Sequence, residues 1–183
     1  MKITISGTPG SGKSTIAKAL AQKLGMKHYS IGDLMKSLAQ KKGISLMEFA
    51  KQAEKDVKID HYLDDELVKL SKKEDDFVIE TRTGFHFIPD SIKIFVKVSP
   101  EVAAERLLRD VKAGKRKTES EIQTKEEALK LVKERLESER KRYKKYYGID
   151  FLDEKNYDFV LNTSKLDIDG SVKKALAFIK TKL

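Results

Sequence analysis

The sequence contains no cysteine and no tryptophan, only three prolines and three histidines, and no long apolar run. Without cysteine there is no disulfide framework, no thiolate nucleophile and no zinc–thiolate site. His28, His61 and His86 stand far apart and share no metal-ligand spacing, so they read as ordinary strand, helix or loop residues. No window approaches the ~20 apolar residues that span a bilayer. The chain opens on a strand-like run with no basic-then-apolar leader before it, so a cytoplasmic protein without a membrane partner is expected. Arginine is scarce as well. Of 38 basic residues only seven are Arg: Arg82 alone, and six more between Arg106 and Arg142. Lysine, spread along the whole chain, reads mostly as solvated surface. A cluster of the scarcer side chain, whose planar fork suits phosphate, is the more informative signal.

What is present fits one highly charged globular domain. The chain has 183 residues, 39% hydrophobic and 37% charged, with a net charge of +9. That length is enough to bury a proper core. The charge favours anionic partners. No repeat, low-complexity tract or Pro/Gly-rich linker divides the chain.

Periodicity predicts alternating strands and helices. Strands are expected at 2–6, 27–29, 77–80, 92–98 and 157–162. Helices are expected at 14–24, 31–42, 45–56, 60–73, from Ser99-Pro100-Glu101 onward, at 125–146 and at 169–182. The polar stretch 112–124 reads as a mobile loop. Strands alternating with helices imply an α/β fold with a parallel sheet and right-handed crossovers.

Between the first strand and the first helix lies Gly7-Thr8-Pro9-Gly10-Ser11-Gly12-Lys13-Ser14, followed by Thr15. This matches G-x-x-x-x-G-K-[ST] in full and in the strand–turn–helix context that gives the pattern meaning. Glycines let the backbone bring its N–H groups close to phosphate oxygens. The positive end of the following helix faces the anion. Lys13 reaches the β- and γ-phosphates, and the Ser14 hydroxyl can ligate Mg²⁺. Gly7 through Thr15 are therefore the expected ATP-binding residues, with Ser14 as the metal ligand. No guanine-reading Asn-Lys-x-Asp follows a late strand; Asn162-Thr163-Ser164-Lys165 does not match it. Small size, an early P-loop and a late arginine cluster point to a small-molecule kinase.

Four further features make a resemblance specific. They are Ser30-Ile31-Gly32-Asp33 with Gly43 through Phe49 and Ile59-Asp60; Glu80-Thr81-Arg82 with Asp90 through Ile94; the run from Arg135 to Asp150; and Tyr157-Asp158. With the P-loop, these resemble archaeal-type cytidylate kinases over nearly the whole chain. The resemblance implies a P-loop α/β/α fold with a five-stranded parallel sheet whose core comprises 1–30, 76–110 and 150–183. It also implies a helical region at about 30–75 that binds the nucleoside monophosphate, and a lid with its helix at about 110–146. The implied activity is transfer of the γ-phosphoryl group of ATP, with Mg²⁺, to CMP or dCMP. The implied partners are those nucleotides, without nucleic acid, acting on a monomer.

The same resemblance assigns roles. Arg82, just past a buried strand, grips the acceptor phosphate. Arg135, Glu139 and Arg142, at i, i+4 and i+7, share one helix face. By spacing alone that face reads as a salt-bridged, solvated surface. In the family the arginines neutralise the phosphoryl group in transit, and the acidic residue touches the acceptor base. Lys13, Arg82, Arg135 and Arg142 thus form the expected catalytic set. Ser30, Lys36, Asp60, Arg82, Arg135, Glu139 and Arg142 form the expected acceptor set. Asp60 could equally serve as a helix N-cap, and Asn162 and Thr163 either meet adenine or form a turn. Arg106 and Arg109 could line the donor side of the lid. Phe85, Phe87, Tyr143, Tyr146 and Tyr147 read as packing rather than base stacking. Two positions depart from the pattern. Lys36 stands where the family usually has Arg, and lysine cannot make a bidentate grip. Thr83 stands where bacterial relatives carry Asp.

Two other readings remain open from the residues. One is a different nucleoside monophosphate kinase of the adenylate type, against which no Asp-Gly-Phe-Pro-Arg-like stretch follows the third strand. The other is an RNA- or ribosome-associated P-loop ATPase, suggested by the positive charge.

Overall fold

A computed structural model describes residues 1–116, 119 and 121–182. Five parallel strands form one sheet in the order β2-β3-β1-β4-β5. They are β1 (Lys2–Gly7), β2 (Lys27–Ser30), β3 (Phe77–Glu80), β4 (Ile92–Lys97) and β5 (Phe159–Asn162). Strands β3 and β4 carry runs of apolar residues, while β1 alternates Ile3 and Ile5 with buried Thr4 and Ser6, as helices cover both faces of the sheet. Ile3, Ile5, Val78, Ile94 and Val96 are all fully buried.

One face is covered by α1 (Lys13–Leu24) and α8 (Ile168–Lys180). Ile16, Ala17 and Leu20 of α1 meet Val172, Ala175 and Ile179 of α8 over this face in the main core. Three helices, α2 (Ile31–Lys41), α3 (Leu46–Lys55) and α4 (Val57–Lys73), are inserted between β2 and β3. Leu67 of α4 packs on Phe77 and Ile79. A four-residue helix, α5 (Gly84–Phe87), follows β3. Beyond β4 come α6 (Pro100–Lys112) and the long α7 (Lys125–Tyr147), joined by a cluster around Ala103, Leu107, Ala128 and Val132.

Local chemistry sets the boundaries. Ser45 with Glu48 and Thr124 with Glu127 form capping boxes that start α3 and α7. Ser99 caps α6 with Pro100 in its first turn. The expected α/β fold and five-stranded parallel sheet are present. Three details differ. Helix α4 begins at Val57, because the Asp56 side chain accepts from Lys58 N at 3.0 Å and caps it one turn early. Strand β5 begins at Phe159 rather than Tyr157, whose ring packs on Phe85 and Phe95. Helix α5 is too short to show a period. Within the expected 112–124 loop, Lys117, Thr118 and Ser120 lie outside the described residues. Among the described residues no helix is long and apolar enough to cross a membrane.

Candidate active site

The strand order reverses at β1, with β3 on one side and β4 on the other, so a crevice opens at their carboxyl ends. The P-loop emerges there from β1. Its start is fixed to β4 by the Thr8 N–H, which donates to Val96 O at 3.0 Å. No side chain fits at Gly7, where a Cβ would sit 2.1 Å from Val96 O. Gly12 has φ +82 and stands at the N-cap of α1, where no side chain caps the helix. The first N–H groups of α1 therefore face the crevice as anion donors. The far side of the loop is clamped. Arg106 donates to Gly10 O at 3.3 Å and to Thr163 O at 2.7 Å, and the Thr163 hydroxyl donates to Ser11 O at 3.0 Å.

Glu80 ends β3 opposite this loop, in register with Ile5. The Ser14 hydroxyl donates to its carboxylate, Lys13 Nζ lies 3.7 Å away, and His28 Nε2 lies 3.5 Å from its other oxygen. Burial and the Arg82 charge lower the pKa of Lys13 to about 8, against the opposing pull of Glu80. A hydroxyl and a buried carboxylate facing each other form a hard oxygen pair of the kind Mg²⁺ takes. Among the described residues no group of three or more His, Cys, Asp or Glu stands ready to hold a metal. A metal here would need oxygens from the nucleotide and water to complete its shell.

Each arginine of the site is engaged by a carboxylate. Arg82 holds Glu139 through two hydrogen bonds. Burial opposes ionisation of Glu139, but Arg82 outweighs it and holds the carboxyl below its usual range. Arg135 pairs with the buried Glu119, which also receives a hydrogen bond from Arg116 at 3.0 Å. Arg142 faces Asp60 at 3.1 Å, with both side chains buried. Burial pushes Asp60 up to about 6, and Arg142 only partly reverses this. One turn further along α4, Asp64 accepts from the Thr83 hydroxyl at 2.8 Å and from the Tyr147 hydroxyl.

Lys13, Ser14, Glu80, Arg82, Arg135 and Arg142 line one cavity of about 400 Å³. It brings together Pro9, Gly10, Lys13, Ser14, Ser30, Lys36, Asp60, Arg82, Arg135, Glu139 and Arg142, all expected from the sequence. Gly7, Thr8, Ser11, Gly12 and Thr15 shape the loop without lining it. Ser30 caps α2 through a 3.1 Å bond from Asp33 N, and Lys36 pairs with Asp33. Asp60 is not an N-cap, since Asp56 fills that place. Asn162 accepts from Ser164 N at 3.0 Å, which is the turn role. Arg106 serves the P-loop clamp rather than the lid. Phe85, Tyr143 and Tyr147 pack in one aromatic cluster with Phe95 and Phe151, Phe87 packs beside β3, and the Tyr146 hydroxyl bonds to Ala53 O at 2.9 Å.

Glu80, Asp64 and Arg116 line the same cavity and are not among the site residues expected from the sequence, and Thr83, marked there only as a departure from the pattern, lines it too. The signal for Glu80 was present: an acid ends a buried strand and precedes Arg82 by two.

The sequence model of the cytidylate kinase-like family matches residues 2–165. The chain is 36% identical over 183 residues to a cytidylate kinase of Archaeoglobus fulgidus, covering 100% of this chain and 96% of that one. It is 38% identical over 175 residues to a cytidylate kinase of Methanocaldococcus jannaschii, covering 93% and 92%. Among solved structures, an uncharacterized protein from Eubacterium ventriosum aligns at a TM-score of 0.71 with 19% identity, covering 99% of each chain. A shikimate kinase from Bacteroides thetaiotaomicron aligns at 0.62 with 17% identity, covering 98% of each. At those identities the structures attest the fold.

Proposed function

The chain belongs to the cytidylate kinase-like family, and from that premise we propose that it transfers the γ-phosphoryl group of ATP to CMP or dCMP. The observation that carries this is a single cavity lined both by the P-loop and by Arg82, Arg135 and Arg142, the last paired with buried Asp60. ATP occupies the P-loop end. The acceptor lies against α2, α3 and α4, and the segment from about 110 to 146 acts as the lid. An adenylate-type or RNA-associated reading is not favoured by relatives that share the cytidylate kinase name along nearly the full chain.

Ser14 and Glu80 are the residues that would hold Mg²⁺, directly or through water. When bound, the ion neutralises charge on the β- and γ-phosphate oxygens. The chain's own residues supply the rest. The P-loop N–H groups and Lys13 fix the donor phosphates. Arg82 grips the acceptor phosphate, and Arg135 meets the phosphoryl oxygens from the lid. The acceptor oxygen is already anionic, so no strong general base is required. Alignment and charge neutralisation are what the site must provide. Closure of the lid excludes water, which would otherwise take the phosphoryl group.

The test is release of ADP from Mg-ATP with CMP, dCMP, UMP, AMP and GMP offered singly against a blank without acceptor. The proposal expects CMP or dCMP to exceed every other acceptor. A clear preference for AMP, or rates equal to the blank, would refute it.

A further inference from the structure

Glu80 turns its two carboxylate oxygens toward two different elements. Oε2 faces α1, where it accepts from the Ser14 hydroxyl and lies 3.7 Å from Lys13 Nζ. Oε1 faces β2, where His28 Nε2 lies 3.5 Å away. His28 reaches this place because β2 pairs in parallel with β3, His28 beside Val78 and Ser30 beside Glu80. Residues two apart on a strand share a face. The imidazole therefore lies on the face that carries Glu80, beneath α1, whose Ile16, Ala17 and Ala21 share a core with Val78.

His28 Nε2 is closed to solvent and has no hydrogen-bond partner. Buried polar atoms without a partner are rare and call for a reason. A ring nitrogen that faces a carboxylate carries its proton there, since a lone pair would meet another acceptor. Its distance exceeds an ordinary N–H···O bond by only about 0.5 Å. Of the charges that bear on the ring, Glu80 acts most strongly, ahead of Lys18 and Asp33.

We propose that His28 is a positioning residue for the cation site: its ring N–H holds Glu80 Oε1 and thereby keeps Oε2 toward Ser14, open to the Mg²⁺ that accompanies ATP. The inference rests on the proposed function only in taking Ser14 and Glu80 as the groups that hold the ion. The terminal torsion of a glutamate is broad. Held at Oε2 alone, the carboxylate would turn about it and blur the oxygen pair; a second contact from β2 stops that turn. Carboxylates that serve metals are themselves hydrogen-bonded in this way, which fixes their orientation. A neutral imidazole suits the task, because it donates one hydrogen bond without setting a full charge beside the ion, as another lysine would.

The experiment measures ATP binding to the full chain by calorimetry, without acceptor, once with Mg²⁺ and once with EDTA. The ratio of the two dissociation constants reads how strongly the bound ion is held, with no turnover involved. His28→Phe keeps a flat ring and removes the donor; the ratio should fall about 10-fold, while affinity in EDTA stays within about threefold. His28→Gln sets an amide nitrogen at the reach of the ring Nε2 and should restore the ratio to within about threefold of wild type. An unchanged ratio in His28→Phe overturns the proposal. So does an equal loss of affinity with and without Mg²⁺, or a His28→Gln chain as impaired as His28→Phe, the results of a purely structural ring. If His28→Phe does not fold, His28→Asn, whose amide stops where Nδ1 stands, takes its place under the same expectations. An unchanged ratio in Glu80→Gln would remove Glu80 from the ion's surroundings, and this inference with it. Failure to phosphorylate CMP, measured separately, would refute the kinase reading and leave the binding ratios to decide the role of His28.

Discussion

Arg82 and Glu139 are joined by a two-pronged bond, Nε to Oε2 at 2.7 Å and a terminal nitrogen to Oε1 at 3.2 Å. Fork-to-carboxylate geometry is the same geometry by which arginine takes a phosphate. On the proposed function, Glu139 holds the same guanidinium fork that takes the acceptor phosphate and keeps it oriented. Arg82→Ala should lower kcat by ~100-fold or more, as loss of a transition-state charge donor does. Arg82→Lys should recover only part of this, because an ammonium cannot make the fork. Steady-state rates with CMP, alongside a thermal melt to confirm folding, provide the check. Near-wild-type turnover in Arg82→Ala would remove Arg82 from the catalytic set.

Thr163 is a positioning residue for the donor side. Its hydroxyl donates to Ser11 O, and its carbonyl accepts from Arg106, which also bonds to Gly10 O. Thr163→Val keeps the shape and removes the hydroxyl. Loss of about one to two hydrogen bonds should raise KM for ATP roughly 5–30-fold. KM for CMP should stay within about twofold, since the acceptor wall is built from other elements. Equal changes in both constants would mean a general loss of structure.

Glu80 receives the Ser14 hydroxyl at the phosphate end of the cavity. Glu80→Gln keeps the hydrogen bond and removes the charge. The Mg²⁺ concentration for half-maximal rate should rise about 10–100-fold. A titration of rate against Mg²⁺ at fixed ATP reads this directly, and an unchanged midpoint would exclude Glu80 from the metal's surroundings.

Asp60 gives a pH signature in stability. Burial raises its folded pKa to about 6 from the ordinary 3.8. Between those values the folded state binds more protons than the unfolded one, so this group's contribution to stability falls as pH rises. Asn does not titrate. Urea unfolding of the wild type and Asp60→Asn should therefore show a stability difference that declines, in the wild type's disfavour, from about pH 4 to about pH 6. A difference constant across that range would contradict the raised pKa.

How much of this was legible in the sequence depended on whether the chemistry is contiguous. The P-loop was readable because eight successive residues encode turn, helix start, charge and hydroxyl together. Arg82, Arg135 and Arg142 stood out because arginine is scarce and late. Asp64 does not stand out, being one among 29 acidic residues, and Glu80 is marked only as an acid that ends a buried strand two residues before Arg82. Their meaning comes from parallel pairing of β1 with β3 and from α4 lying against Thr83, contacts far apart in the chain. For Asp60 the sequence leaves cap and acceptor contact equally open, and the structure gives the cap to Asp56, one turn earlier. The carboxylate partners of the arginines were equally hidden, since a charged helix face looks the same whether it meets solvent or another side chain.

The central claim is direct transfer between two nucleotides held in one cavity, and γ-labelled ATP tests it most directly. Purified chain is incubated with Mg²⁺, labelled ATP and excess CMP, and the products are separated. The account predicts label in CDP, equal to the ADP formed, with little in inorganic phosphate. Label appearing in inorganic phosphate, with none in CDP, would contradict it.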